Sequence, residues 1–268
     1  TGANNTGLGG FALETNTTGE KNTAVGRAVL DANTTGSRNT GVGDGALSTN
    51  TTGNYNTGVG QEALVLNTTG SDNTSLGYTA LYNNTTANNN TAIGYAAMFN
   101  NTTGGDNVAV GDAALDANTS GAHHVAIGLG ALGANTTAHR NTAVGWKALG
   151  EVTTGENNVA VGYEALKQKT GGQCVGIGRH AGGGAAGNGE VFVGYYAGAA
   201  NTANETVGIG YNALNDNTSG AGNVGIGCQA LAANTTADYN TAVGFEALND
   251  NTTGEKNCGL GHTALEDN

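Results

Sequence analysis

The chain has 268 residues, of which 48 are Gly, none is Pro and only 11% are charged. Gly lies far above its ordinary level of roughly 7%, so a disordered polar tract is excluded only if the apolar residues prove strictly spaced. The net charge is −12, with nine Lys and Arg scattered singly. That argues against a nucleic-acid partner, because phosphate binding needs clustered cations. No apolar run approaches the roughly 20 residues of a membrane helix and no signal peptide is visible, so no membrane insertion of this segment is expected.

The spacing is strict. In "NTTGEKNTAVGRAVLDANTTG", residues 16–36, the motif Asn-Thr-Thr-Gly returns after one period of 17 residues. Units cut at Thr-Gly or its variants begin at 1, 18, 35, 52, 69, 86, 103, 120, 137 and 154, then at 170, 186 and 202, and again at 219, 236 and 253. Sixteen units on a fixed short period are the signature of a solenoid. The chain opens in phase with the repeat and stops just short of closing a unit. It reads as a fragment of a longer fibre: one continuous repeat domain, 1–268, with an irregular, narrower segment at 150–206.

Within a unit the elements follow in order. The fifth position carries a column of Asn (Asn5, Asn22, Asn39, Asn56, Asn73, Asn90, Asn107). The sixth is Thr or Val except at Cys258, the seventh is Ala, Gly or Ser except at Phe192, and the eighth is always Val, Ile or Leu. This alternation predicts a short strand, with Leu8, Val25, Val42 and Val59 of the eighth column pointing inward. Because the sixth column swaps Thr freely with Val, it too is expected to face inward. The ninth position is Gly in all sixteen units, a corner requiring positive φ or close backbone approach. Ala at position twelve and Leu at thirteen (Leu13, Leu30, Leu47, Leu64) predict a second short strand contributing one inward Leu per coil. A second Asn column (Asn16, Asn33, Asn50, Asn67, Asn84, Asn101, Asn118, Asn135) is expected to stack amide on amide along the axis. Recurrent Gly and β-branched residues disfavour helix. The fold class is therefore all-β, a parallel β-solenoid or β-roll of about sixteen 17-residue coils.

Each coil offers only two or three large apolar side chains against the cost of ordering its whole length. Extra burial through association is expected, as a homo-oligomer.

Several of these motifs carry a resemblance. "NVAVG" at Asn107–Gly111, "HVAIG" at His124–Gly128, "NVGIG" at Asn223–Gly227 and the following "GDAALDAN" from Gly111 resemble the head repeats of YadA-like trimeric autotransporter adhesins. Related repeats occur in bacteriophage fibres. The resemblance implies a left-handed parallel β-roll, three chains side by side, and display at the cell surface, outside the cell or on a virion fibre, for attachment. This chain departs from the pattern in its 17-residue unit and its added "NTTG" turn. The implied partners are further copies of the chain, as a trimer, and a host receptor, glycan or matrix surface.

Candidate sites are few. The tenth column concentrates aromatics: Tyr78, Tyr95, Trp146, Tyr163, Tyr195, Tyr211 and Phe245. They are candidate receptor contacts, with ring packing between coils or across a chain interface as the competing role. Cys174, Cys228 and Cys258 stand in three different columns with no zinc spacing, and free thiols are expected. His123, His124, His139 and Arg140 cluster without a further ligand, so no metal is expected. Neither a nucleophile elbow nor paired acids occur, and no catalytic role or cofactor is expected. Asn16-Thr17-Thr18 and its copies match the glycosylation acceptor, a pattern the ladder itself imposes. Stacked Thr columns admit an ice-binding solenoid as an alternative function, and a phage tail-fibre shaft is another.

Segment 150–206 breaks several rules together. Three steps shorten, Leu gives way to Gly182 and Gly198, and the Asn columns fail at Val152 and Lys169 and at Cys174, Glu190 and Thr206. The expected compensation is Phe192 packed into the space of the missing Leu side chains, with Tyr195 and Tyr196 as further fillers.

Overall fold

The computed structural model describes residues 2–184 and 187–266. It divides into two compact units, Thr1–His139 and Arg140–Asn268. The first holds β1 (Thr6–Leu8), β2 (Thr23–Val25), β3 (Thr40–Val42), β4 (Thr57–Val59), β5 (Thr74–Leu76), β6 (Thr91–Ile93), β7 (Val108–Val110) and β8 (Val125–Ile127). The second holds β9 (Thr142–Val144), β10 (Val159–Val161), β11 (Val175–Ile177), β12 (Val191–Val193), β13 (Val207–Ile209), β14 (Val224–Ile226), β15 (Thr241–Val243) and β16 (Cys258–Leu260). Within each unit every strand pairs in parallel with its neighbour in sequence, one strand per coil, as in Thr23↔Thr40 and Val224↔Thr241. The all-β parallel solenoid expected from the repeat is the observed fold.

The strand faces the opposite way from the sequence expectation. Ala24, Ala92, Ala109 and Ala143 of the seventh column are fully buried. Those of the eighth column look outward: Val25, Val42 and Val59 are half-buried, and Leu8 and Leu76 are exposed. The sixth column shares that outward face, with Thr23, Thr40 and Thr57 half-buried. The reason is the Leu of the thirteenth column, which is fully buried at Leu30, Leu47 and Leu64. A Cβ on Gly58 would meet Leu47 Cγ at 3.2 Å, and one on Gly225 would meet Leu214 Cγ at 3.1 Å. Each Leu thus occupies the room beneath the seventh position of the next coil, and only a small residue fits above it.

The Ala-Leu segment is not a second strand. It is a turn in which alternate residues take left-handed backbone, such as Ala28 (φ 52°) and Leu30 (φ 51°), or Glu62 (φ 56°) and Leu64 (φ 56°). Non-Gly residues enter this region at a cost of roughly 1–2 kcal/mol each. They stay there because the neighbouring coils accept their backbone hydrogens: Leu30 N–H donates to Ala46 O of the next coil and Ala28 N–H to Gly10 O of the preceding one. The ninth-column Gly is dictated more severely. Gly43 has φ 125°, and a Cβ there would lie 2.5 Å from Gly60 O.

Two polar columns run through the interior. Fully buried Asn of the sixteenth column stack amide to amide: Asn50 Nδ2 donates to Asn33 Oδ1 and Asn67 Nδ2 to Asn50 Oδ1, both at 2.8 Å. Those of the fifth column link mainly to backbone. Asn39 Nδ2 donates to Gly53 O, while Asn39 Oδ1 accepts from Asn56 N–H. Outside the ladder, Thr hydroxyls of the turn donate to the next coil, as Thr17 Oγ1 does to Thr34 O.

Segment 150–206 keeps this register through its shortened steps. Val159 pairs Val175, Val175 pairs Val191 and Val191 pairs Val207, each 16 residues on. The lost residue falls in the turn: Asn201 Nδ2 reaches Ala203 O two residues ahead, whereas Asn217 reaches Gly220 O three ahead. Phe192 is fully buried beside Ala181 and Ala197, as expected. A Cβ on Gly182 would lie 2.9 Å from its ring, and one on Gly198 2.1 Å. Tyr195 is not a filler: it is exposed, and Tyr196 is half-buried against neighbouring rings. Residues 185 and 186 of the Gly-rich run 180–190 lie outside the described residues.

Candidate functional site

The tenth position follows the corner Gly, so its side chain leaves the strand end on the outside of each coil, one coil above the last. In the first unit Tyr78 and Tyr95 stack with ring centroids 5.6 Å apart. A second stack, Tyr82 on Phe99 at 5.1 Å, lies in the fourteenth column and was missed by the column reading. Recurrence at one period, Tyr82 to Phe99, was the signal that could have found it. The two stacks, with Glu62, Thr79, Ala96 and Asp116, line an open groove of about 490 Å³. Burial pushes the Asp116 carboxyl above its ordinary range, against hydrogen bonds from its own backbone and that of Ala117.

In the second unit Trp146 stacks on Tyr163 at 4.6 Å, and Tyr195 stacks on Tyr211 at 5.5 Å. The tenth-column residue between these pairs is Arg179, whose guanidinium sits over the rings of Tyr163 and Tyr195 and donates to Tyr195 Oη at 2.9 Å. His180 lies edge-on to Tyr163 and 3.3 Å from Glu164. Its pKa is lowered by loss of solvent, with the Glu164 charge opposing that shift. A smaller groove of about 280 Å³ is lined by Glu164, Lys167, Gln168, His180, Gly183 and Tyr196. Phe245 stacks on His262.

The seven predicted aromatics are therefore brought together as three stacked pairs and one Phe–His pair. Facing ring surfaces cover each other, so the pairs offer solvent their edges and hydroxyls, with Tyr78, Tyr95 and Tyr211 about half exposed.

No family model matches the sequence, and a search of curated proteins finds no relative.

The His cluster separates into different roles. His124 is buried in the fifth column in place of Asn, its Nε2 bonded to Ala138 O at 2.6 Å. His139 Nδ1 accepts from Ala122 N–H, and His123 is exposed beside Asp106. Among the described residues no three His, Cys, Asp or Glu could hold a metal ion, and no helix is long and apolar enough to cross a membrane. Cys174, Cys228 and Cys258 are free thiols, the first buried and the last exposed. The glycosylation-like Asn33, Asn50 and Asn67 are fully buried with their amide nitrogens already donating, so the folded coil withholds them.

Proposed function

We propose that the chain is a structural and adhesive segment of an extracellular fibre or fibre head, on a cell surface or virion, in which three copies lie side by side along their strand faces. The observation that carries this reading is the outward orientation of the sixth and eighth columns. Val108 and Val110 with Val125 and Ile127 in the first unit, and Val159 and Val161 with Val175 and Ile177 in the second, present adjacent apolar side chains on successive coils, none fully buried. No charged residue interrupts either column. A repeated apolar strip of this kind is suited to a protein interface. The aromatic stacks and their grooves stay available for a receptor, glycan or matrix surface.

The test is the molecular mass of the purified chain in solution, by light scattering coupled to size exclusion. Three chains per particle are expected, and a monodisperse monomer would overturn the assembly reading while leaving the solenoid intact. A second reading, ice binding, is favoured by one observation: Thr23, Thr40 and Thr57 face outward in register on β2, β3 and β4. Thermal hysteresis measured on the same sample decides it, since an adhesive fibre gives none.

A further inference from the structure

The polar columns of the second unit contain one cluster that ladder geometry does not require. Lys169 takes an Asn position in the sixteenth column and Glu190 an Asn position in the fifth, and the side chains of both are fully buried. Oε2 of Glu190 is in contact with Lys169 Nζ. Oε1 of the same carboxylate accepts from Asn201 Nδ2 at 2.7 Å. Asn201 Oδ1 in turn accepts from Asn217 Nδ2. An amine, a carboxyl group and a carboxamide are thus held together without solvent, the carboxyl group between the other two.

An ion pair alone is a poor explanation. Buried pairs rarely stabilise more than apolar residues of similar volume, and the preceding coil fills the same column with fully buried Val152. The chemistry of the three groups gives a better one. We propose that Lys169 and Asn201 join in an intramolecular amide bond, Nζ to Cγ, with release of ammonia and with Glu190 moving the protons.

The Lys169 ammonium gives a proton to Oε2 of Glu190, leaving a neutral amine beside a neutral acid. Burial favours that exchange, because it holds the Glu190 carboxyl above its ordinary range even against the Lys169 charge. The amine attacks Cγ of Asn201, and negative charge develops on Oδ1, where the Asn217 amide donates. The Glu190 carboxyl group turns to deliver its proton to Nδ2, to which it is already hydrogen-bonded, and the carboxylate so formed takes the second proton from the attacking nitrogen. The Cγ–Nδ2 bond breaks and ammonia departs. Ammonium, carboxylate and carboxamide have become amide, carboxylic acid and ammonia, with no oxidant required. Burial also pushes the Cys174 thiol up, so this neighbour of Glu190 stays protonated and does not compete as a nucleophile.

The proposal stands apart from the fibre reading and is tested on the full chain by intact-protein mass spectrometry. The wild type should weigh about 17 Da less than its sequence, one ammonia, and a protease digest should yield one branched peptide joining Lys169 to Asn201. Lys169→Arg and Glu190→Gln should each show their full sequence mass. A wild type at full mass overturns the proposal. So does a deficit that persists in Lys169→Arg, which would be succinimide formation elsewhere, or a deficit of one water, which would join Lys169 to Glu190 instead. The wild-type digest decides the matter even if the variants fold poorly.

Discussion

The coils between Asn16 and Asn135 and those between Val152 and Thr206 build the same backbone with different interiors. In the first set, Leu or Met at the thirteenth position sits under a small seventh residue, and stacked Asn fill both polar columns except where His124 replaces one. In the second, Gly182 and Gly198 stand where Leu should, Phe192 stands where Ala should, and Lys169 and Glu190 replace two Asn. Strand register survives the exchange, shortened by one residue per step. The coil therefore constrains a volume and a set of satisfied hydrogen bonds, and residue identity only through them.

The largest effect should come from separating the charged substitutes. Measured by chemical denaturation against Lys169→Arg, which keeps a cation and cannot form the amide, Lys169→Met leaves Glu190 buried without a partner charge and should cost about 3–5 kcal/mol near neutral pH. Glu190 already titrates above its ordinary range because of burial, and losing Lys169 raises it further. A carboxyl group whose folded pKa is raised binds more protons folded than unfolded. Stability should then be greatest below the ordinary Glu range and fall as pH rises through the raised value. The Lys169→Met deficit should accordingly shrink on acidification, and a pH-independent deficit would mean that Glu190 is not desolvated. The pair variant Lys169→Met with Glu190→Leu should recover most of the loss, as an apolar filling does at Val152.

Phe192→Ala should follow, at about 3–4 kcal/mol, since it empties the space shared with Gly182 and Gly198. Adding Leu at both glycines should restore much of the loss by rebuilding the regular interior; their φ values of 63° and 59° match those of ladder Leu residues. Gly198→Leu with Phe192 retained should instead destabilise by overpacking. If the triple variant is no better than Phe192→Ala, the two interiors are not interchangeable.

The smallest of these effects is expected in the regular coils. Asn67→Leu removes donors to Asn50 Oδ1 and Gly70 O and the acceptor of Asn84 Nδ2. A loss of about 2–3 kcal/mol is expected from the unsatisfied groups left behind, read from the denaturation midpoint. A neutral result would show that the Asn column is replaceable everywhere, as it is at Val152.

Much was legible from the sequence alone because the repeat aligns equivalent residues. The period located the strand at positions six to eight of each coil, the obligatory Gly at its end, the buried Leu column, the Asn ladder and the exchange of two Leu for Phe192. The tenth-column aromatics were legible as a column, but their partners Arg179, His180 and His262 were not, because contact along the stack depends on side-chain direction. Alternation put positions six and eight on one face and seven on the other, yet it is symmetric and does not say which face is inside. The tertiary structure decided that, through Leu47 and its equivalents claiming the space below the seventh position, and through left-handed turns where a second strand was expected. It also brought Lys169, Glu190 and Asn201 together. They lie far apart in sequence, and only the register of shortened coils makes them neighbours.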